Sequence, residues 1–147
     1  MKRCMIIILA MGLAGCGNGF GPDALHLEIQ PAAAAFPHDG PFTFGITARN
    51  DGDEPITWGQ GSSSCQLEAF VRVDGQDYRF ASRVCTSDLA PQGLEPGASR
   101  TERLLFEGQY FDGTTPVPLP PGEYEFRGAA GDVARSRHVK VEIRAAG

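Results

Sequence analysis

Short runs in which apolar and polar residues alternate constrain the fold of this chain more than any other feature of its sequence. In residues 42–49 every second residue is apolar, namely Phe42, Phe44, Ile46 and Ala48. A period of two residues predicts a β-strand with one buried face. Glycine and proline, with 19 and 11 residues, are spread along the chain and separate the runs. This arrangement predicts an all-β protein, and no stretch has the period of an amphipathic helix.

The same reasoning predicts about seven or eight strands, packed as two antiparallel sheets in an immunoglobulin-like β-sandwich. They lie near residues 25–30, 42–49, 56–58, 66–73, 78–80, 99–106, 123–127 and 139–144. Asp74-Gly75 predicts a two-residue hairpin, because both central positions of such a turn need positive φ. We expect Trp58 in the core and a corner hydrogen bond from the Tyr124 hydroxyl. Ala32–Ala35 could form one helical turn between two prolines.

The N-terminus has the layout of a bacterial export signal. Lys2 and Arg3 precede an apolar run over residues 5–13, which is shorter than the roughly 20 residues of a transmembrane helix. Residues 13–16, Leu-Ala-Gly-Cys, resemble the lipobox of bacterial lipoproteins, in which a peptidase cleaves before a lipidated cysteine. The alternative is an ordinary secretory signal in which Cys16 is coincidental.

These features divide the chain into a signal peptide at residues 1–15, a lipidated Cys16 with a tether at 16–23, and one domain at 24–147. The lipid would hold the domain on a membrane of the bacterial cell envelope. Inner-membrane lipoproteins often have aspartate after the lipidated cysteine. This chain has Gly17 there, which favours the outer membrane.

The charge of the domain narrows the choice of partners. Loss of Lys2 and Arg3 with the signal peptide lowers the formal charge from −5 to about −7. An acidic domain is a poor partner for nucleic acid, and anionic headgroups repel it. We therefore expect contact with the membrane through the lipid on Cys16 and no binding of nucleic acid.

Four cysteines agree with export. Cys4 leaves with the signal peptide and Cys16 takes the lipid, so Cys65 and Cys85 remain as a pair. In an oxidising compartment two such thiols usually form a disulfide. A redox pair or two metal thiolates are the alternatives, although the CxxC spacing that favours them is absent.

Residues 40–130 resemble the BsuPI-like intracellular proteinase inhibitor domain family. The matching segments are residues 42–50 leading into DGDEPIT at 51–57, FVRVDG at 70–75, LEPGAS at 94–99 and PGEY at 121–124. The resemblance implies an immunoglobulin-like sandwich and a proteinase-binding role. It identifies no reactive-site residue in this chain.

Motifs that would support catalysis or metal binding are absent from the sequence. His26, His38 and His138 lack the spacing of a zinc site, and we expect the first and the last to face solvent. Residues 50–54 gather oxygen donors that could form a calcium loop, but they lack the length of an EF-hand and are typical of a turn. Ser62–Ser64 has no G-x-S-x-G motif around it. We therefore predict a protein that is not an enzyme and needs no cofactor or metal.

Residues 109–121, QYFDGTTPVPLPP, form the candidate binding loop, with Tyr110 and Phe111 as aromatic anchors beside a proline-rich stretch. The alternative is a long crossover loop whose aromatic residues cap one end of the sandwich. Phe70 is a second possible anchor if it points outward. We predict a lipid-anchored binding or structural domain whose partner is an envelope protein. The alternative function is a proteinase inhibitor that presents a loop to an envelope or extracellular protease.

Overall fold

The computed structural model describes residues 24–38, 40–81 and 83–145. The signal peptide, Cys16 and the tether lie outside these residues, so their predicted roles remain predictions. Within the described ranges, no helix has the length and apolarity needed to cross a membrane.

The described part of the chain contains thirteen strands, joined by turns and loops. They are β1 (Leu25–Pro31), β2 (Ala35–Pro37), β3 (Phe42–Asn50), β4 (Ile56–Gly61), β5 (Glu68–Val73), β6 (Gln76–Phe80), β7 (Ala90–Leu94), β8 (Ser99–Phe106), β9 (Gln109–Phe111), β10 (Pro116–Pro118), β11 (Gly122–Ala130), β12 (Ala134–Arg135) and β13 (Val139–Arg144).

The strands form two packed sheets and a separate ribbon. The small sheet has the order β1-β3-β8, and the large sheet has the order β10-β9-β6-β5-β11-β13-β2, with β12 paired to β11. Strands β4 and β7 form the ribbon. Every pairing is antiparallel except that of β2 with β13. The prediction of an all-β, immunoglobulin-like sandwich is confirmed, with more strands than expected.

Aromatic side chains join the two sheets in the core. Alternate residues of β1, β3 and β13 are buried, as the sequence pattern predicts. The rings of Phe44 in the small sheet and Phe126 in the large sheet have centroids 4.6 Å apart. Phe106 and Phe80, also from opposite sheets, are 4.7 Å apart. Burial of such rings is a large part of the hydrophobic stabilisation of a small sandwich.

The predicted local features at three positions are confirmed. Asp74 and Gly75 have φ of 50° and 79°, as a two-residue turn between β5 and β6 requires. Trp58 is buried, and its indole N–H donates to the Gln66 carbonyl at 2.9 Å. The Tyr124 hydroxyl donates to the Pro120 carbonyl at 2.9 Å, near the start of β11.

The alanine-rich stretch after β1 does not form a helical turn. Ala32–Ala34 form bends, and Ala35 already begins β2. This short connection takes the chain from the small sheet to the edge of the large sheet, where β2 pairs with β13. The tertiary pairing therefore decides the conformation of a segment whose own sequence permits either structure.

A buried asparagine joins two turns at the end of the sandwich where β1 begins. Asn50 has no exposed surface, and its side-chain amide donates to the Glu54 and Leu94 carbonyls at 2.8 and 3.1 Å. Its side-chain oxygen accepts a bond from the Gly52 N–H at 3.0 Å. This local bond is typical of a turn, which favours the turn interpretation of residues 50–54 over a calcium loop.

Candidate functional site

The predicted binding loop at residues 109–121 is a hairpin at the edge of the large sheet. Strands β9 and β10 pair with each other, and β9 also pairs with β6. The Asp112 carboxylate closes the turn by accepting bonds from the Thr115 and Thr114 N–H groups at 2.8 and 2.7 Å. These bonds hold the pKa of Asp112 below its usual value. The segment is therefore an extension of the sheet rather than a crossover loop.

The two aromatic residues of this hairpin differ in exposure. Tyr110 is half-buried, packs against the core, and has its ring centroid 4.9 Å from that of Tyr78. Phe111 is 40% exposed. Phe70 lies on the outer face of the large sheet, as predicted, with the guanidinium groups of Arg79 and Arg135 at 6.0 and 5.6 Å from its ring centroid. Of these three aromatic residues, Phe111 offers the largest exposed anchor.

The structure shows the predicted disulfide between Cys65 and Cys85, with their Cα atoms 5.6 Å apart. It joins two segments, Ser62–Cys65 and Arg83–Leu89, which we call the linked loops. The first segment follows β4 and the second precedes β7. A crosslink of this kind restricts both segments together.

Hydrogen bonds around the disulfide reinforce the linked loops. The Thr86 N–H donates to the Ser64 hydroxyl at 2.9 Å, and the Thr86 and Ser62 hydroxyls lie 2.7 Å apart. The Asp88 carboxylate accepts bonds from the Thr86 hydroxyl and from the Ser63 N–H. These bonds lower the pKa of Asp88, and the bond from the Thr86 hydroxyl has the largest effect. The serine triplet thus serves the local structure of the loops.

Two large apolar side chains project from the second linked loop. Val84 is 98% exposed and Leu89 is 76% exposed. No turn or bend occurs from Arg83 to Thr86. An apolar side chain on a segment that is already ordered can enter a contact with little loss of conformational entropy.

A cleft of about 900 Å³ lies between the linked loops, β8 and the start of β5. An ion pair forms part of its wall, because the Arg83 guanidinium is 2.7 Å from the Glu102 carboxylate. Glu102 also accepts bonds from the Gln66 and Leu67 N–H groups at 3.0 and 3.3 Å. Burial lowers the pKa of Arg83, although the attraction of Glu102 opposes this shift. Sequence reasoning missed this site, because its members come from distant parts of the chain.

The histidines do not converge on a common site. His26 is exposed, as predicted, and His38 is half-buried. The expectation for His138 is wrong: it is half-buried, with Nε2 3.6 Å from the Asp77 carboxylate. Arg72 and Arg127 contact the same carboxylate. In the described ranges, no three His, Cys, Asp or Glu side chains lie close enough together to hold a metal ion.

Comparison with known proteins gives a likeness of fold. No family model and no curated protein matches the sequence. A β-glucosidase from Erythrobacter marinus aligns with 82% of this chain and 15% of its own length, at 16% identity and a TM-score of 0.50. A β-glucosidase from Listeria innocua aligns with 83% of this chain and 16% of its own, at 11% identity and a TM-score of 0.50.

A third solved structure has a length similar to that of this domain. The CARDB domain of a Pyrococcus furiosus protein aligns with 83% of this chain over 94% of that domain, at 9% identity and a TM-score of 0.47. By contrast, this chain spans about 15% of the length of the first β-glucosidase. At these identities the likeness concerns the fold alone.

Proposed function

We propose that this chain is a lipid-anchored, non-enzymatic protein of the bacterial cell envelope whose β-sandwich binds another protein through the linked loops. The observation that carries the proposal is the exposure of Val84 and Leu89 on segments that a disulfide fixes. The sequence of residues 1–16 supports the anchor and the compartment. The disulfide agrees with an oxidising compartment.

Preorganisation is the physical reason for placing the contact at the linked loops. A loop that is already ordered loses little conformational entropy on binding. Val84 and Leu89 would each remove apolar surface from water in the complex, at about 25 cal/mol per Å². Phe111 is also exposed but lies on β9, so its replacement serves as a comparison for changes in the linked loops.

The test is chemical crosslinking in intact cells, followed by capture of the full chain. We expect a discrete crosslinked partner with the wild-type protein, and its loss in a Val84→Asp/Leu89→Asp variant. A Tyr110→Ala/Phe111→Ala variant, altered in the hairpin, should keep the partner. The reverse pattern, with capture lost only in the hairpin variant, would move the contact to β9 and β10.

A proteinase inhibitor is the second candidate function. The observation that favours it is the segment Arg83–Thr86, which has no turn or bend and in which Val84 is 98% exposed. Val84 lies there between Arg83, which forms an ion pair, and Cys85 of the disulfide. Proteinases bind their substrates as extended segments, and a side chain the size of valine suits a small apolar primary pocket. The resemblance of residues 40–130 to the BsuPI-like family supports the same candidate.

Inhibition assays separate the two candidates. We would assay the purified full chain against serine proteinases with large apolar, small apolar and basic specificity. An inhibitor should act on the enzymes with a small apolar pocket. The Val84→Ala variant should keep this inhibition, and the Val84→Asp variant should lose it. No inhibition of any class, together with a crosslinked partner that is not a protease, would exclude this candidate.

A further inference from the structure

We infer that the cleft beside β8 binds an extended peptide that pairs with the free edge of this strand. The inference rests on the proposed protein-binding function and names its ligand. Residues 102–105, which are consecutive in β8, all line the cleft. Consecutive residues of a strand point to opposite faces. A cleft that touches all four residues is therefore bordered by the edge of the strand and not by one of its faces.

The free edge of β8 carries backbone N–H and C=O groups that have no partner strand in the part of the chain that the structure describes. This strand is outermost in the small sheet, where it pairs with β3 alone. No other backbone segment of the described ranges bonds to its edge. Inward-pointing charges commonly protect exposed edges, and Arg100 and Glu102 occupy such positions in the first half of β8. Residues 104–106 carry no charge, which leaves the second half open to strand addition.

An unpaired buried acceptor lies in the wall of the cleft. Gln66 is only 6% exposed, yet its side-chain oxygen has no hydrogen-bond donor among the described residues. A buried acceptor without a partner costs free energy, on the order of 1–3 kcal/mol in proteins. Gln66 lines the cleft, so a rotation of its side chain would bring this oxygen to a backbone N–H of a bound peptide.

The rim of the cleft defines the chemistry of the peptide. Leu105 is 46% exposed on β8, and Val84 projects from the linked loop on the same cleft. The charged lining is balanced between arginine and glutamate: Arg79, Arg83, Arg103, Glu68, Glu102 and Glu107. A balanced lining does not select a polyanion or a polycation. The ligand is therefore a peptide of low net charge with an apolar side chain between Leu105 and Val84.

The dimensions of the cleft fit a short peptide. A volume of about 900 Å³ is within the range of small-ligand sites in proteins. Four paired residues of an added strand would extend about 13 Å along β8. The segment is thus short, and its affinity would come from main-chain bonds and one apolar contact.

The test uses a phage-displayed library of random peptides, selected against the full lipidated chain in detergent micelles. Synthetic copies of the selected peptides are then titrated by fluorescence anisotropy. We expect binding at least about tenfold weaker for Leu105→Lys, which places a charge at the open edge. Phe111→Lys is the matched control, because Phe111 has similar exposure and lies outside the cleft; its affinity should equal that of the wild type.

Two further measurements locate the bound peptide. Gln66→Met, which keeps the length of the side chain and removes the acceptor, should weaken binding without lowering the melting temperature. Along β8 alternate amides bond to β3, and those of Arg103 and Leu105 face the free edge. These two amides should exchange more slowly with the peptide bound. Selection of no peptide, or of peptides that bind Leu105→Lys as tightly as wild type, would overturn the inference. If the crosslinked partner still depends on Val84 and Leu89 in that case, the proposed function stands and only the cleft is excluded.

Discussion

At the scale of single residues, the buried side chain of Asn50 bonds to backbone groups of two different turns. Its side chain contacts three backbone groups, from Gly52, Glu54 and Leu94. Its backbone carbonyl also accepts a bond from the Gly97 N–H at 2.9 Å. One side chain therefore connects the turn after β3 with the turn before β8. The alternation of β3 predicts a burial pattern but gives no sign of these contacts.

We expect Asn50→Ala to lower the free energy of unfolding by about 2–4 kcal/mol, because three backbone groups lose their partner. Urea denaturation of the oxidised protein measures this change. Asp51→Ala is the control, since the Asp51 side chain forms only an exposed ion pair with Arg49, at 2.7 Å. Such a pair contributes about 1 kcal/mol or less. Equal losses in the two variants would contradict the role assigned to Asn50.

Tyr124 leads to a prediction about alkaline pH. Burial raises the pKa of the Tyr124 phenol above its ordinary value, so the folded state favours the neutral form. The stabilisation is complete below the pKa of the unfolded state and is lost as the pH rises through the folded pKa. Tyr124→Phe should lower the free energy of unfolding by about 1 kcal/mol at neutral pH.

The same variant should lose less stability than the wild type when the pH rises above about 10. Melting temperatures measured across this range test the difference, with Tyr78→Phe on β6 of the same sheet as the control. Parallel pH profiles for wild type and Tyr124→Phe would contradict the assignment.

At the scale of elements, the disulfide fixes two loops that are otherwise held by hydrogen bonds at the surface. Its cysteines are separated by 20 residues. We expect Cys65→Ala/Cys85→Ala to lower the free energy of unfolding by about 3 kcal/mol in the chain-entropy model. The same change should expose the peptide bond after Arg83 to trypsin, because exposed loops without a crosslink are preferred cleavage sites.

Non-reducing mass spectrometry of envelope-purified protein gives the reference for this experiment. It should find the peptides of Cys65 and Cys85 joined. Ser63→Ala serves as a control variant with the crosslink intact, and it should resist trypsin as the wild type does. Free thiols in the purified protein would exclude the disulfide.

The sequence pattern predicts the long strands well, because their alternation follows directly from one buried face. It misses β7, whose sequence includes Pro91 and Gly93, because these residues are rare in isolated strands. It also assigns β9 and β10 to a proline-rich loop. β9 forms because it pairs with the distant β6, and β10 then pairs with β9 at the sheet edge; no local window contains the first of these pairings.

The candidate site is only partly predictable for the same reason. Cysteine arithmetic identifies the Cys65–Cys85 pair, since the predicted signal peptide and lipidation would remove Cys4 and Cys16 as partners. The exposure of Val84 and the wall formed by Glu102 depend on which loops meet in three dimensions. The sequence predicts Tyr110 and Phe111 as binding anchors because they are aromatic residues beside a proline-rich stretch. In the fold, Tyr110 packs against the core, so much of its surface is not available for binding.

At the scale of the whole molecule, the predicted lipid on Cys16 determines where the domain works. We expect Cys16→Ser to move the protein from the membrane fraction to the soluble envelope fraction, or to leave it uncleaved. Fractionation with immunoblotting distinguishes these results from normal anchoring. A variant with Cys4→Ser should behave as the wild type, since Cys4 lies within the predicted signal peptide. Membrane association that survives Cys16→Ser would exclude the lipid anchor.

The pairing of the first strand has a mechanical consequence. Ala24 precedes β1 and bonds through its carbonyl to the Asp51 N–H, so a pull from the N-terminal side would load β1 along its axis. β1 pairs with β3 from Leu25↔Asn50 to Pro31↔Phe44. Traction along the strand strains all of these bonds together, whereas a sideways pull would break them in turn. If the proposed lipid anchor and partner are present, the domain should therefore resist tension between them.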